Sequence, residues 1–303
     1  MKLPKRVIWP SGAHEMGGWA DYLPLGFHEL GIFVESSRRL REKTDSYLCA
    51  KLDVRSVGAV ELVYEEKVQK VWYDVGDFSS HHGYEKIMGN GDFYFKIQMI
   101  PEHRKKYPRM FPIGTRVTLP YIFFPLLPKL RRLVRAGKFD YDILALLRLT
   151  KYDIRVKTVE LVRSQPWRSK AWLTSHPNRP TPPEGLIRSL KYEYSEYLVM
   201  QAKTKIGLAP PGIGEFTFRQ IELMAMGRPC LITKPNLVPM ADGRGCWIEI
   251  EQDLSDFVDK VNYYLEHDEE REKIALKGQK FYEKYYSPRG QALHILEIVE
   301  ANS

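Results

Sequence analysis

The chain has 303 residues, 44% hydrophobic and 12% aromatic, enough for folded cores, and at about 150 residues per domain this length predicts two domains. With 46 Lys and Arg against 38 Asp and Glu, the net charge of +8 favours an acidic partner over a basic one; the excess alone does not separate nucleic acid, nucleotide, phosphate and anionic membrane. Three dispersed cysteines, Cys49, Cys230 and Cys246, form no CxxC pair, which argues against a disulfide framework or a zinc knuckle and for a cytoplasmic location.

The amino terminus lacks the long apolar core of a signal peptide, and no run approaches the ~18 apolar residues of a membrane span. "KRVIWP" predicts a first strand, and the Gly-rich "SGAHEMGG" leads into an amphipathic helix stopping at Gly31. Further strands are expected at "AVELVY", "KVWYDV" and "DFYFKIQM", with turns at "GDFSSHHGY" and "MGNGD" between them. Residues 111–138 are apolar and punctuated by proline, then basic through Lys129, Arg131, Arg132, Arg135 and Lys138. They read as an interdomain connection with the boundary near Gly137, and their mixture of apolar and cationic groups also suits a peripheral contact with an anionic membrane.

Beyond Gly137 the pattern alternates. Strand "YDILALLRL" is followed by helix "YDIRVKTVELVRS", strand "KAWLTS", the Pro-rich "HPNRPTPPEG" and a helix over "LIRSLKYEYSEYLVMQAK". Then come strand "KIGLAPP", a helix within "GIGEFTFRQIELMAMG", strand "PCLIT" and strand "CWIEI". Such alternation predicts a parallel sheet covered on both faces. Asp253 and Asp256 mark the start of helix "FVDKVNYYLEH", a second helix follows through "EEREKIALKGQKFYEKYY", and Ser287 with Pro288 opens a last one. The expected domains are residues 1–138, 139–286 and a final crossing helix at 287–303.

The chemistry concentrates at residues 212–227. Strand "KIGLAPP" delivers the chain to the carboxyl edge of a parallel sheet, where open α/β sheets bind ligands. Gly212 and Gly214 permit close approach of a ligand, and Thr217 with Gln220 matches a capping box, so a helix starts at Phe218 with its positive dipole end and free amides at the ligand. Arg219 supplies a permanent cation for phosphate oxygens, and Glu222, one turn deeper, an acceptor for a vicinal diol. Together they describe a nucleoside diphosphate with its ribose. Arg148, at the end of the second domain's first strand, and Arg155, with Lys157, in the following helix are further cations for a diphosphate leaving group.

This segment resembles the donor-binding motif of GT-B glycosyltransferases, of the form E…E-x-M-A-x-G-x-P: here Glu215, Glu222, Met224, Ala225, Gly227 and Pro229. The Thr-x-Arg-x-x-Glu version, Thr217, Arg219 and Glu222, is closer to exostosin-like and related branches. The resemblance covers residues 140–303 and implies two Rossmann-like domains facing across a cleft, a carboxyl-terminal helix crossing back to the first, and a ribose role for Glu222. Retaining members often have seven residues between the two glutamates, whereas Glu215 and Glu222 have six, so the motif assigns neither a sugar contact to Glu215 nor an anomeric outcome. The expected activity is metal-independent transfer of a sugar from a nucleotide diphosphate sugar, a co-substrate and not a cofactor, to a carbohydrate or lipid-linked hydroxyl.

The first domain is expected to hold the acceptor and, for an inverting enzyme, a general base, for which His14 and Asp77 are the candidates among Glu15, Asp74, His81 and His82 nearby. "HPNRP" is a candidate wall of the base pocket. "GAHEMGGW" lacks the ending of a P-loop, and "DYD" at 140–142 opens a strand, outside the context of a metal-binding Asp-x-Asp. Adjacent His81 and His82 lack the further ligands a metal needs. The competing class is a non-catalytic protein that binds nucleotide sugar or nucleic acid; for the latter, basic and aromatic residues should interleave over one surface, and here the cations spread along the chain.

Overall fold

The computed structural model describes residues 1–10, 19–38, 57–76, 84–149, 154–174, 185–187, 192–212 and 214–303. The chain divides into two compact units. Unit 1 comprises Met1–Arg116, Asn236–Asp242 and Glu283–Ser303; unit 2 comprises Val117–Pro235 and Gly243–Tyr282.

Unit 1 is built on a six-stranded sheet of order β2-β1-β3-β4-β5-β6, with β1 Arg6–Pro10, β2 Phe33–Ser37, β3 Val57–Val63, β4 Val68–Asp74, β5 Phe93–Lys96 and β6 Met110–Pro112. Helix α1, Trp19–Glu29, links the parallel strands β1 and β2, and β3 runs antiparallel to both β1 and β4. Short helices α2 (Tyr84–Ile87) and α3 (Pro101–Lys106) flank β5, which pairs in parallel with β4 and β6. The apolar runs expected to be β1, β3, β4 and β5 are those strands. Strand β2 went unpredicted: "FVESS" does not alternate cleanly, Phe33 is 65% exposed, and only pairing with β1 holds it extended.

The final helix of the chain belongs to this unit. It runs from Pro288 to Ala301, with Ser287 accepting a bond from the Gly290 amide at 3.0 Å and Pro288 in the first turn, the cap-then-proline start legible in the sequence. Its Ala292, Ile295, Leu296 and Val299 join Leu23 and Phe27 of α1 and Val7, Val60, Val71 and Phe95 of the sheet in one core.

Unit 2 opens with helix α4, Pro120–Arg135, where the sequence suggested an irregular connection. Three features reconcile the prolines with a helix. Pro120 occupies the first turn, where no amide is needed; Pro125 and Pro128 both lie on the exposed side of the helix; and Phe123 and Leu130 are buried on the other side. The boundary between units therefore falls between Arg116 and Val117 instead of near Gly137.

The sheet of unit 2 is wholly parallel, of order β11-β10-β9-β7-β8: β7 Tyr141–Arg148, β8 Ser169–Thr174, β9 Thr204–Leu208, β10 Cys230–Thr233 and β11 Ile248–Ile250. Helices α5 (Ile154–Arg163) and α8 (Phe257–Glu266) cover the face that carries Ile143, Ala145 and Leu147. Helix α7, Phe218–Met226, lies on the opposite face with Leu223 against Gly207, and packs on α4 and on α9, Asp268–Phe281. Helix α6 is shorter than expected, Tyr194–Ala202: instead of extending the helix, Ile187 makes a parallel bridge with Leu173, whose amide donates to the Leu186 carbonyl at 2.8 Å. Beyond α9 a wider π turn, Tyr282–Tyr286, leads to the last helix, here α10.

Candidate functional site

Counted in chain order, the strands of unit 2 lie 2-1-3-4-5 across the sheet. The order reverses between β7 and β9, and the crevice beyond the carboxyl ends of those two strands is where such a sheet binds ligands. Arg148 ends β7 and is exposed there. The chain leaving β9 enters the turn containing Gly212 and Gly214, both buried, with the Gly212 amide donating to the Gly214 carbonyl at 2.9 Å.

Arg155, at the start of α5, ties these two strand ends together. Its Nε donates to the Pro211 carbonyl at 2.7 Å and its Nη1 to the Arg148 carbonyl at 2.8 Å. A Cβ on Gly212 would lie 2.6 Å from Arg155 Nη2, so the guanidinium fills the space a side chain would need. Arg155 is 6% exposed, which makes it a brace under the turn, where the sequence predicted a phosphate contact.

Helix α7 begins at Phe218, as the capping pattern predicts, and ends at Gly227 in the left-handed conformation (φ 82°). Gln220 Oε1 accepts the Thr217 amide at 2.7 Å, one arm of the capping box. The Thr217 hydroxyl donates to the same oxygen at 2.6 Å, and the amides of the first turn have no acceptor inside the helix. Phe218 is 40% exposed and Glu215 half-buried beside this turn.

Arg219 turns inward. It is 7% exposed, with Nε donating to the Tyr197 hydroxyl at 2.7 Å and Nη2 to the Leu146 carbonyl at 3.4 Å. Its guanidinium also lies over the Tyr197 ring, 5.8 Å from the centroid. Glu222 is 1% exposed, and its two oxygens differ. Oε1 accepts three bonds, from the Thr118 amide at 2.9 Å, the Thr118 hydroxyl at 2.7 Å and the Tyr194 hydroxyl, while Oε2 has no donor. Burial raises the carboxyl above its ordinary range, opposed by Tyr194, Thr118 and the charge of Arg219. Burial and the neighbouring Glu222 raise the Tyr194 phenol, which stays a donor. Thr118, Tyr194 and Tyr197 escaped the sequence reading: Thr118 lies 104 residues from Glu222, and the two tyrosines sit within an expected helix with no motif to mark them.

Residues 164–297 match the family described as glycosyl transferase-like. Among solved structures, a glycosyltransferase from Rickettsia africae ESF-5 is similar over 97% of both chains, at 13% identity and a TM-score of 0.52, and it shares the two-body GT-B fold. HepE from Anabaena, solved with UDP-glucose, matches at 12% identity over 69% of this chain with a TM-score of 0.46. Sucrose-phosphate synthase from Thermosynechococcus elongatus matches at 15% identity over 75% of this chain with a TM-score of 0.48. This chain spans 64% of the length of each of the latter two. No curated protein matches its sequence.

On the acceptor side, His14 and Asp77, with Glu15, His81 and His82, lie outside the described residues, as does "HPNRP". Asp74, at the carboxyl end of β4, is fully buried, pairing with Lys96 Nζ at 2.9 Å and accepting from the Tyr94 hydroxyl at 2.8 Å and the Gly76 amide at 2.9 Å. These bonds hold the strand end that leads to Asp77. At the opposite end of the unit 2 sheet, Asp140 pairs with Lys203 and Asp142 with Arg168 and Lys205, so "DYD" is an ion-pair cluster. No group of three His, Cys, Asp or Glu among the described residues could hold a metal ion, and no described helix is long and apolar enough to cross a membrane.

Proposed function

We propose that this protein transfers a sugar from a nucleotide diphosphate sugar to an acceptor hydroxyl, with the donor at the switch point of unit 2. The observation that carries the reading is Glu222: a buried carboxylate with one oxygen held by three donors and the other unpartnered, one turn below a glycine-flanked helix start. The unpartnered Oε2 is the acceptor for a ribose hydroxyl. The α7 amides and Arg148 receive the diphosphate, and Arg155 and Arg219 keep the turn and the helix in place for it.

In the reaction, an acceptor oxygen attacks the anomeric carbon as the bond from that carbon to the diphosphate breaks. The acceptor proton passes to a base from unit 1, His14 or Asp77, and the nucleoside diphosphate leaves with the bonding pair. Arg148 and the α7 dipole stabilise that developing charge without a metal. The acceptor is a hydroxyl of a glycan, glycolipid or other small molecule, and the work is cytoplasmic, in keeping with three dispersed cysteines that form no CxxC pair. Helix α4, with its cationic carboxyl-terminal half, is the element for peripheral contact with an anionic membrane.

Calorimetric titration with nucleoside diphosphates and nucleotide sugars, on the parent and on Glu222→Ala, tests this. Binding of one base in preference, weakened in the variant by ~1–3 kcal/mol for a lost charge-assisted bond, is expected. A folded parent that binds none of the panel would overturn the donor site.

A further inference from the structure

Unit 2 contains a cavity of about 780 Å³ away from the switch point, between α4, the end of α7 with the two residues after it, and α9 from Glu272 to Gln279. Four arginines line it, Arg131, Arg132, Arg135 and Arg228, against one carboxylate, Glu272. Arg228 is the unusual member. It is 6% exposed; its Nη1 donates to the Thr204 carbonyl at 2.9 Å, its guanidinium lies 5.0 Å from the centre of the Phe139 ring, and its Nε has no partner. Burial and the nearby charge of Arg271 lower its pKa to about 10, only partly offset by the charge of Glu272, so the buried guanidinium lacks a full counter-ion.

Helix termini explain only part of this charge. Arg131 Nε donates to the Ala225 carbonyl at 2.9 Å, capping the last turn of α7 as a cation should. Arg132 and Arg135 are exposed on the cavity wall and make no ion pair among the described residues. Phe124, Leu127 and Leu276, the last 54% exposed, add apolar lining, and just outside it Tyr121, one turn earlier on α4, is 68% exposed. A soluble anion would satisfy the arginines and leave these apolar groups in water.

We infer that this cavity binds the phosphate headgroup of an anionic membrane lipid, with Arg228, Arg132 and Arg135 around the phosphate and Leu276 and Tyr121 at the acyl boundary. The assignment narrows the membrane contact proposed above to one set of residues and does not depend on sugar transfer.

The test is flotation of the full chain with vesicles of phosphatidylcholine alone or mixed with phosphatidylglycerol, in the absence of nucleotide. The parent should float with the mixed vesicles only. Arg132→Gln/Arg135→Gln, both exposed and expected to fold, should lower the partition coefficient about thirtyfold at about 1 kcal/mol per charge. Arg228→Gln should lower it as well, and the equal-charge control Lys67→Gln/Lys105→Gln, on unit 1, should leave it unchanged. Three results would overturn the inference: no binding of the folded parent to mixed vesicles, an equal loss in the control pair, or full competition by millimolar glycerol phosphate, which would assign the cavity to a soluble anion. Nucleotide titration of the same variants keeps a failure here distinct from a failure of the donor site.

Discussion

Gly212→Ala probes the brace beneath the donor turn. The added Cβ would lie 2.6 Å from Arg155 Nη2, 3.5 Å from its Cζ and 3.6 Å from Thr217 Cγ2, so the guanidinium must retreat by roughly 1 Å to restore ordinary contact. Arginine ends are usually free to move. This one is buried and bonded at 2.7 and 2.8 Å to the carbonyls of Pro211 and Arg148, so the retreat breaks one of those bonds, at about 1.5–3 kcal/mol for a charged donor. Thermal unfolding of unit 2 should fall by on the order of 5 °C, and nucleotide affinity by about tenfold as the loops move apart. The decisive assay repeats the substitution in an Arg155→Ala background. There the clash is gone, and Gly212→Ala should cost almost nothing further. An equal loss of stability in both backgrounds would refute the brace.

Two further outcomes follow from the packing. Burial raises the Glu222 carboxyl in the folded state, so the folded protein holds that proton more tightly than the unfolded chain: its contribution to stability is full below the ordinary carboxyl range near 4.5 and is lost as pH rises through the folded value. Glu222→Gln keeps an oxygen for Thr118 and Tyr194 and removes the buried charge, so in urea unfolding its stability relative to the parent should rise between pH 4 and pH 7; a constant difference would refute the reasoning. In unit 1, a Cβ on Gly26 would stand 2.0 Å from the Pro288 carbonyl oxygen, backbone on both sides, so Gly26→Ala should part α1 from α10 at ~1–3 kcal/mol. An unchanged melting temperature would show that the two helices are not in close contact.

What the sequence determined by itself is local or periodic. Thr217 and Gln220, then Gly227, mark the start and stop of α7, because capping and left-handed turns depend on residues within four positions of one another. Ser287 and Pro288 set the start of α10 for the same reason, and the strands of unit 2 announce themselves as apolar runs because a parallel sheet is buried on both faces. The order Gly212, Gly214, Arg219, Glu222 is likewise local, all four falling within eleven residues.

Tertiary structure alone decided what those side chains do. Arg219 and Arg155 read as phosphate ligands in sequence, yet the first meets Tyr197 and the second meets the carbonyls of two separate strand ends. Thr118 reaches Glu222 across 104 positions, and α4 is a helix despite its internal prolines because Phe123 and Leu130 have somewhere to be buried. The physical reason is range. A cap or a turn is settled by neighbours along the chain, whereas a buried cation or carboxylate is settled by whichever donors and acceptors packing brings to it, and those can come from any element of the fold.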